Sequence, residues 1–232
     1  MITLRGRTVL VVGAGGLGGP ALLALASAGV GRVVLAESGA VQDSDLAGQP
    51  LFLEAELGEP RGAAAARRLA ALAPGLEVEV VAAFGEETAA GLVRAADLVV
   101  DGSNHFPTMF HANDAALAAG KPLLHGGLLH FTLHLLTVLP GATGCLRCLF
   151  EGPPSPGPEP GLLGPLAGLG GALLGAEAVR LLEGRPGAYA GRLLVHEARS
   201  GRSRAVPLKP RPGCPACGPV QGARAAGAGA LA

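Results

Sequence analysis

The first half of the chain alternates short apolar runs with longer stretches that have the periodicity and composition of helices. The first run, Thr8–Val12, consists of threonine, valine and leucine and is typical of a strand buried on both faces of a parallel sheet. The runs that follow predict further strands at Arg32–Glu37, Leu76–Ala82, Asp97–Asp101 and Pro122–His125. The stretches between them predict helices at Pro20–Val30, Pro60–Ala73, Glu86–Ala96 and Pro107–Ala119. This alternation predicts repeated βαβ units and therefore an α/β fold with a doubly wound, mostly parallel sheet.

The pattern changes after residue 126. His130–Leu135 alternates polar and apolar residues like a half-exposed strand. This pattern places His130 and His134 on one face of that strand, about 13 Å apart and too far to share a metal ion. Further along, one long helix of small residues is predicted at Leu162–Leu182, and a hairpin at Leu193–Glu197 and Ser203–Leu208. We therefore expect antiparallel strands to continue the parallel sheet.

We interpret residues 1–218 as a single domain. Within it, residues 153–160 contain five prolines and show no periodicity, so we expect a crossover loop there. Residues 219–232 are rich in alanine and glycine, and we expect this tail to be disordered.

The composition excludes several classes of protein. Hydrophobic residues make up 49% of the 232 residues and charged residues 16%, which is too apolar for an intrinsically disordered chain. Eighteen basic residues balance eighteen acidic ones, so the charge favours neither nucleic acid nor an anionic membrane as a partner. Aromatic residues account for only 3%, so alanine, valine and leucine must build the core.

Three long stretches lack Asp, Glu, Lys and Arg: residues 8–31, 122–146 and 160–176. Glycines interrupt the first, histidines and a glycine pair interrupt the second, and glycines and a proline interrupt the third. A membrane-spanning helix needs about 20 predominantly apolar residues without such breaks. The N-terminus also has no apolar segment followed by a signal cleavage site. We therefore expect a soluble, cytoplasmic protein that does not associate with membranes.

A glycine-rich turn follows the first predicted strand at once. Gly13, Gly15 and Gly18 form a GxGxxG motif, with Gly16 inside it, between a strand and a helix. Missing side chains let the backbone approach a phosphate, and the N–H groups of the next helix favour an anion. Glu37 closes the second predicted strand, where an acidic residue can bind the ribose of a nucleotide. The alternative is a tight turn that needs its glycines only for packing.

All four cysteines fall into two CxxC pairs, Cys145 with Cys148 and Cys214 with Cys217. Four thiolates at this spacing suit a structural, tetrahedral zinc ion. Two disulfides or a redox-active CxxC are the alternatives. A cytoplasmic location disfavours the disulfides, and neither pair lies at a strand-to-helix turn of the kind that holds a thioredoxin-like motif. We therefore predict a zinc knuckle with four cysteine ligands.

Together these segments resemble the ThiF/MoeB/HesA family, the bacterial relatives of ubiquitin-activating enzymes. The resemblance covers Val9 to Gly218, and its Gly-rich part reads VVGAGGLGGPAL (Val11–Leu22). Further matches are LVVDGS (Leu98–Ser103), GKPL (Gly120–Leu123), CLRCLF (Cys145–Phe150) and CPACG (Cys214–Gly218). The resemblance implies a Rossmann-like fold that binds ATP and magnesium. It also implies adenylation of the C-terminal Gly-Gly carboxylate of a small ubiquitin-like sulfur carrier by a homodimer.

Carried over residue by residue, the resemblance assigns ATP binding to the four glycines of the turn and to Glu37, Gln49 and Arg61. Arg61 and Asn104 occupy the aligned catalytic positions, and both differ from the usual residues. Arg61 stands where the family has a lysine. Asn104 stands where the family has a magnesium-binding aspartate, and a neutral amide is a weaker ligand for a hard cation.

The segment SDLAGQ (Ser44–Gln49) matches the usual S-N-L-x-R-Q and departs from it twice. The family's asparagine is Asp45, whose charge would repel phosphates, and its arginine is Gly48. Loss of one preorganised charge typically costs a factor of about 10²–10³ in rate. Compensation would have to come from Asp101 as a magnesium ligand, or from arginines elsewhere, for which the candidates are Arg67, Arg68 and Arg94.

Three functions remain open from the sequence. The first is adenylation of a ThiS- or MoaD-type sulfur carrier. The second is a catalytically degenerate relative that binds a carrier tail or a partner subunit without adenylating it. The third is an NAD-dependent oxidoreductase, suggested by the GxGxxG turn with Glu37, although it gives the paired cysteines no role.

Overall fold

The computed structural model describes residues 4–46, 50–82, 84–103, 105–152 and 163–218. The parallel strands are β1 (Thr8–Val12), β2 (Arg32–Ala36), β3 (Glu77–Val81), β4 (Leu98–Asp101) and β5 (Leu123–Leu129). The antiparallel strands are β6 (Thr132–Val138), β7 (Arg192–Glu197) and β8 (Arg202–Pro207). Over the described residues these strands form one eight-stranded sheet in the order β3-β2-β1-β4-β5-β6-β7-β8. The predicted doubly wound sheet with an antiparallel continuation is therefore confirmed.

The central strands are apolar because both of their faces are covered. Val9, Leu10 and Val11 on β1 are fully buried, and Val11 lies beside Leu35 of β2 and Val100 of β4. At the edge, β3 keeps its glutamates exposed, and Arg32 of β2 pairs with two of them. The apolar runs therefore mark the strands that are covered by helices on both sides.

The helices lie on both faces of this sheet. They are α1 (Gly18–Ser27), α2 (Asp43–Leu46), α3 (Arg61–Leu72), α4 (Glu86–Ala95), α5 (Phe106–Ala119), α6 (Leu146–Leu149) and α7 (Gly164–Leu182). Buried residues of α1, α3 and α7 form the core on one face. Buried residues of α4 and α5, with three of the cysteines, form the core on the other face.

Helices α1 and α7 pack closely through small residues, which fills the interior in a chain with few aromatic side chains. A Cβ atom on Gly171 would lie 2.5 Å from the Leu17 carbonyl oxygen, and one on Gly175 would lie 2.3 Å from the Cβ atom of Ala24. Buried Glu177 of α7 accepts hydrogen bonds from the Thr137 hydroxyl and the Ala188 N–H group. By length and composition alone α7 could cross a membrane, but half of its apolar window is buried inside this fold. It acts here as a core helix.

The sequence misplaced the hairpin between β5 and β6. Strand β5 runs to Leu129, four residues beyond its predicted end, and β6 begins at Thr132. His130 therefore lies in the turn, with a positive φ of 54°, and it does not share a strand face with His134 as the alternating pattern predicted. The paired glycines after His125 predicted the end of the strand. In the structure both glycines belong to β5, because they pair with β6 in antiparallel fashion. The predicted crossover loop at 153–160 and tail at 219–232 lie outside the described residues.

Candidate functional site

The glycine-rich turn lies where the strand order of the sheet reverses. The chain proceeds from β1 to β2 and β3 on one side, and then returns to β4 on the other side of β1. Ligands of open α/β sheets bind in the crevice outside the carboxyl ends of the strands at such a point. A Cβ atom on Gly13, whose φ is +87°, would lie 3.5 Å from the backbone of Gly102 and Ser103, which follow β4. The predicted phosphate loop therefore stands at the expected crevice.

The glycines of the turn do not all serve packing. A Cβ atom on Gly18 would lie 1.9 Å from the Gly13 carbonyl oxygen, so packing alone requires this glycine. A Cβ atom on Gly15 would meet only side-chain atoms, 3.6 Å from Arg61 Nη1 and 3.9 Å from Asp45 Oδ1. A Cβ atom on Gly15 would therefore fit in ordinary contact with charged side chains. Gly16 is half-buried beside it.

Glu37 fastens the turn to the end of β2. Its Oε2 atom accepts a hydrogen bond of 2.8 Å from the Ala14 N–H group. Its Oε1 atom accepts one of 2.7 Å from the Gly39 N–H group. The side chain is 8% exposed, and the carboxylate reaches the turn that the sequence predicted as its neighbour.

Arg61, the first residue of α3, places its guanidinium beside the turn. Its Nε atom lies 3.2 Å from Asp45 Oδ2, and its Nη1 atom lies 3.6 Å from Glu37 Oε2. Nε and Nη2 also donate to the Ala40 carbonyl oxygen. The Arg61 side chain is 17% exposed, so these contacts hold a largely buried cation in one position.

Asp45 is therefore not the free charge that the sequence implied. Its side chain is 7% exposed, and its Oδ2 atom accepts a hydrogen bond from the Gln42 N–H group in addition to the Arg61 contact. Two carboxylates and one guanidinium give the cluster of Glu37, Asp45 and Arg61 a net charge of −1. The turn carries a cation, but that cation is already paired.

Asp101, offered by the sequence as a substitute magnesium ligand, is fully buried at the end of β4. Its Oδ1 atom accepts hydrogen bonds from the Ser103 N–H and hydroxyl groups, at 3.1 and 2.7 Å. Its Oδ2 atom lies 2.8 Å from Nδ1 of His125, on the neighbouring strand β5. Both oxygens are engaged, so Asp101 offers no free oxygen to a cation.

Sequence reasoning did not identify His125 as a functional residue. One signal was present, since the predicted strands Asp97–Asp101 and Pro122–His125 end in an acid and a histidine. Parallel pairing in register places those two ends side by side.

The other predicted residues lie apart from this cluster or outside the described part of the chain. Gln49, Gly48 and Asn104 are not among the described residues. Arg67 pairs with Glu56 and Glu59, each at 2.8 Å, away from the turn. Arg68 lies seven residues after Arg61, about 10 Å further along α3. Arg94 is exposed in the last turn of α4. None of these three arginines replaces the missing cation.

The four cysteines come together in one cluster. Cys145 Sγ lies 4.0 Å from Cys148 Sγ and 3.8 Å from Cys214 Sγ, and Cys148 Sγ lies 3.4 Å from Cys217 Sγ. All four sulfur atoms lie within 4.8 Å of one another. Ligands around tetrahedral zinc, with Zn–S bonds of about 2.3 Å, stand about 3.8 Å apart. The four thiols fit a single metal ion.

Burial opposes ionisation of the thiols. Burial raises the pKa of Cys145 to about 11, and the neighbouring cysteines add to this rise. Burial and a hydrogen bond with Cys148 raise the pKa of Cys217. Burial opposes ionisation of Cys214 too, but N–H groups of Cys217 and Ala216 lower its pKa to about 7. Four thiolates cannot coexist here without a cation between them, which a divalent metal would supply.

Helix α5 holds the first CxxC pair in place. Asn113 Oδ1 accepts a hydrogen bond from the Leu146 N–H group, and Asp114 binds the Arg147 guanidinium through both carboxylate oxygens. A Cβ atom on Gly144 would lie 2.9 Å from the Lys209 carbonyl oxygen, so the two cysteine-bearing segments pack directly against each other.

Comparisons with known proteins agree with this architecture. A family model described as the ThiF family matches residues 2–216. The chain is 41% identical over 226 residues to a sulfur carrier protein adenylyltransferase of Thermus thermophilus, covering 93% of this chain and 83% of that protein. It is 38% identical to a SAMP-activating enzyme E1 of Haloferax volcanii, covering 93% and 82%. The crystal structure of E. coli MccB with MccA-N7isoASN shares the fold, with a TM-score of 0.82 at 20% identity, over 93% of this chain and 68% of that one.

Proposed function

Because the chain belongs to the ThiF family, we propose that it adenylates the C-terminal carboxylate of a ubiquitin-like sulfur carrier with ATP. The similarity to the Thermus thermophilus adenylyltransferase, over nine-tenths of the chain, supports this activity and this class of partner. In the reaction, a carboxylate oxygen forms a bond to the α-phosphorus of ATP. The bond to the bridging oxygen breaks, and pyrophosphate leaves.

The observation that carries the proposal is the position of Arg61. Two anions meet in this reaction, so a fixed positive charge near the phosphates stabilises the transition state. The Arg61 guanidinium lies over Gly15 at the crevice, held by Asp45 and Ala40. The glycines 13, 15, 16 and 18 would receive the phosphates, Glu37 would bind the ribose, and Gln49 and Asn104 would complete the site.

Magnesium has no evident protein ligand among the described residues of this edge. Glu37, Asp45 and Asp101 are engaged with backbone N–H groups, Arg61 or His125. Magnesium often binds chiefly to substrate phosphates and water, with one or two carboxylates. We therefore assign no step to it.

The test is ATP–pyrophosphate exchange in the presence of a ThiS- or MoaD-type carrier. We expect carrier-dependent exchange that falls about 10²-fold in Arg61→Met, because one fixed charge is lost. Arg67→Met is the matched control: it removes a guanidinium from the same helix, but one that pairs with Glu56 and Glu59. Equal loss in both variants, or no exchange with any carrier, would contradict adenylation.

One observation favours a second function, carrier binding without adenylation. The Arg61 charge is already compensated by Glu37 and Asp45, so the cluster attracts a triphosphate less than a free cation would. Carrier binding measured by calorimetry, together with no pyrophosphate exchange, would establish this docking function. An NAD-dependent oxidoreductase gains no support, since the ThiF family model spans residues 2–216.

The cysteine cluster we assign to a structural zinc ion. Four thiolates close the coordination shell, so no position is left for a substrate. Such an ion would fasten residues 208–218 to the segment that begins at Gly144. We also expect a homodimer, by resemblance to the family, and sedimentation analysis would test it.

A further inference from the structure

His125 occupies a position at the carboxyl edge of the sheet where a polar side chain is costly to bury. In the register of the sheet, Val12, Asp101 and His125 lie side by side on β1, β4 and β5. Strands β1 and β4 end at this row, whereas β5 continues to Leu129. The residues of β5 after His125 therefore border the crevice beyond the other strand ends.

One nitrogen of the His125 ring forms a hydrogen bond with Asp101, and the other forms none with the described residues. Asp101 can only accept a hydrogen bond, so it fixes the proton on Nδ1, at 2.8 Å. Nε2 has no hydrogen-bond partner among the described residues, although the side chain is only 4% exposed. Nε2 is therefore available for a hydrogen bond with a ligand.

The space in front of Nε2 is open. A Cβ atom on Gly127, two residues along β5 and on the same face, would meet no heavy atom within 4 Å except His125 Nε2, at 3.6 Å. The preceding Gly126 differs sharply, because a Cβ atom there would strike Leu174 and Leu17 on the opposite face. The missing side chain at Gly127 therefore leaves a cradle whose polar wall is His125.

The next row of the sheet places Arg204 on the same face as this cradle. Gly127 pairs with His134 on β6, which pairs with Val195 on β7, which pairs with Arg204 on β8. Side chains in one row share a face, so Arg204 and His134 lie on the same side as His125. Burial, His125 and Arg204 lower the pKa of His134, so Arg204 supplies the positive charge of this row, and that charge favours an anionic ligand.

We propose that His125 binds an anionic oxygen at the reacting centre, with its ring as an imidazolium that donates Nε2–H. The ligand is a phosphoryl oxygen of the nucleotide or the carboxylate of the acceptor. Asp101 offsets the ring charge, and Ser103 fixes Asp101, so these two are positioning residues. The proposal rests on the proposed adenylation.

Two substitutions separate ligand binding from a structural role. His125→Asn keeps a donor near Nδ1 for Asp101 and removes Nε2, whereas His125→Gln keeps a donor near Nε2 and gives up the Asp101 contact. We expect Asn to lower kcat/KM of pyrophosphate exchange about 10²-fold with little change in thermal midpoint, and Gln, which keeps a neutral donor near Nε2, to lower it less. Full activity in Asn with loss in Gln would overturn the proposal and make His125 a structural partner of Asp101.

Gly127→Ala tests the cradle without touching the His125–Asp101 pair. Its methyl group would fill the space 3.6 Å from Nε2. We expect it to lower kcat/KM by at least about tenfold at an unchanged thermal midpoint, since a ligand atom and the methyl group cannot share this space. Unchanged kinetics in this variant would count against a ligand there.

A measurement independent of activity identifies the source of the oxygen. The chain has six histidines, and the His125→Asn spectrum would assign the ¹⁵N ring signals of His125 in the wild-type protein. A shift on addition of ATP alone assigns a phosphoryl oxygen, and a shift only with a Gly-Gly-terminated sulfur carrier assigns the carboxylate. An unmoved signal, with binding of both probes verified by calorimetry, overturns the proposal. If the wild-type chain catalyses no exchange, adenylation fails, and the ring signal still decides the anion site.

Discussion

The cluster around the glycine-rich turn and the cysteine cluster differ in how their charges are balanced. Around the glycine-rich turn, Arg61 lies between Asp45 and Glu37, so opposite charges satisfy one another within the chain. In the cysteine cluster, four thiols of the same chemistry meet within 4.8 Å of one another. The first region balances its charges within the chain, whereas the second could obtain its opposite charge from a bound metal ion.

The two clusters also differ in how far apart their parts lie in sequence. The turn, Glu37, Asp45 and Arg61 come from two consecutive strand–helix units. The contact of Cys145 with Cys214, in contrast, joins residues 69 positions apart. A crosslink that closes a long loop contributes more stability than one between near neighbours. Loss of the metal should therefore have the larger effect on the fold.

Metal removal is the largest predicted effect. Structural zinc sites bind with apparent free energies of about 10–16 kcal/mol, so their loss lowers stability by several kcal/mol. We expect a chelator or Cys214→Ser to abolish one bound zinc per chain and to lower the thermal midpoint by more than about 10 °C. Elemental analysis and calorimetry measure both, and zinc added back to the chelated wild-type chain is the control. A fully reduced, metal-free chain with an unchanged midpoint would contradict the zinc assignment.

Arg61→Met is expected to have the next largest effect on stability. It leaves Asp45 and Glu37, at 7% and 8% exposure, without their shared cation. Removal of one partner of a buried ion pair typically costs about 3–5 kcal/mol. Arg67→Met should cost clearly less, because the Arg67 side chain is 56% exposed and water screens its ion pairs. Urea denaturation measures the difference, and equal costs would show that burial does not separate the two arginines.

The sequence predicted the parts of the molecule that depend on local pattern. Continuous apolar runs placed β1 correctly because its burial on both faces leaves a continuous signature. The full length of β5 was not predicted, because Gly126 and Gly127 have low strand propensity. These two glycines are held in the sheet by pairing with β6. Backbone pairing with the next strand leaves no signal in the residue types at such positions.

The candidate site was predictable in its residues and less so in their pairing. Gly15, Glu37 and Arg61 were each identified, but the compensation of Asp45 by Arg61 depends on how α3 approaches the turn. The network from Ser103 through Asp101 to His125 likewise depends on the strand register. Residue types predict which chemistry is present, and tertiary contacts decide which charges are free.

Substitution of two glycines by alanine sharpens the distinction between packing and ligand binding. In Gly18→Ala, the new methyl group collides with the Gly13 carbonyl oxygen, and overpacking of this kind costs about 1–3 kcal/mol or more. In Gly15→Ala, it meets only side-chain atoms at 3.6 Å or more, so stability should change by less than about 0.5 kcal/mol. We expect Gly15→Ala instead to weaken ATP binding, measured by calorimetry. Unaltered ATP affinity in Gly15→Ala would mean that the glycines of the turn serve packing and not ATP binding.

Asp45→Asn is the smallest expected effect and the most direct test of charge compensation. An asparagine can still accept the Gln42 N–H hydrogen bond and contact Arg61, so the helix end should persist. The variant leaves Glu37 and Arg61 as a neutral pair, which changes the cluster charge from −1 to zero. A unit charge several ångströms from a phosphate in a partly aqueous setting contributes about 0.5–1 kcal/mol, so ATP should bind about two- to fivefold more tightly. The gain should shrink at high salt, because screening weakens the repulsion that was removed. Titrations at two salt concentrations measure both effects. Weaker ATP binding in this variant would mean that Asp45 positions Arg61 for the nucleotide, and that pairing in this cluster organises the cation and does not suppress it.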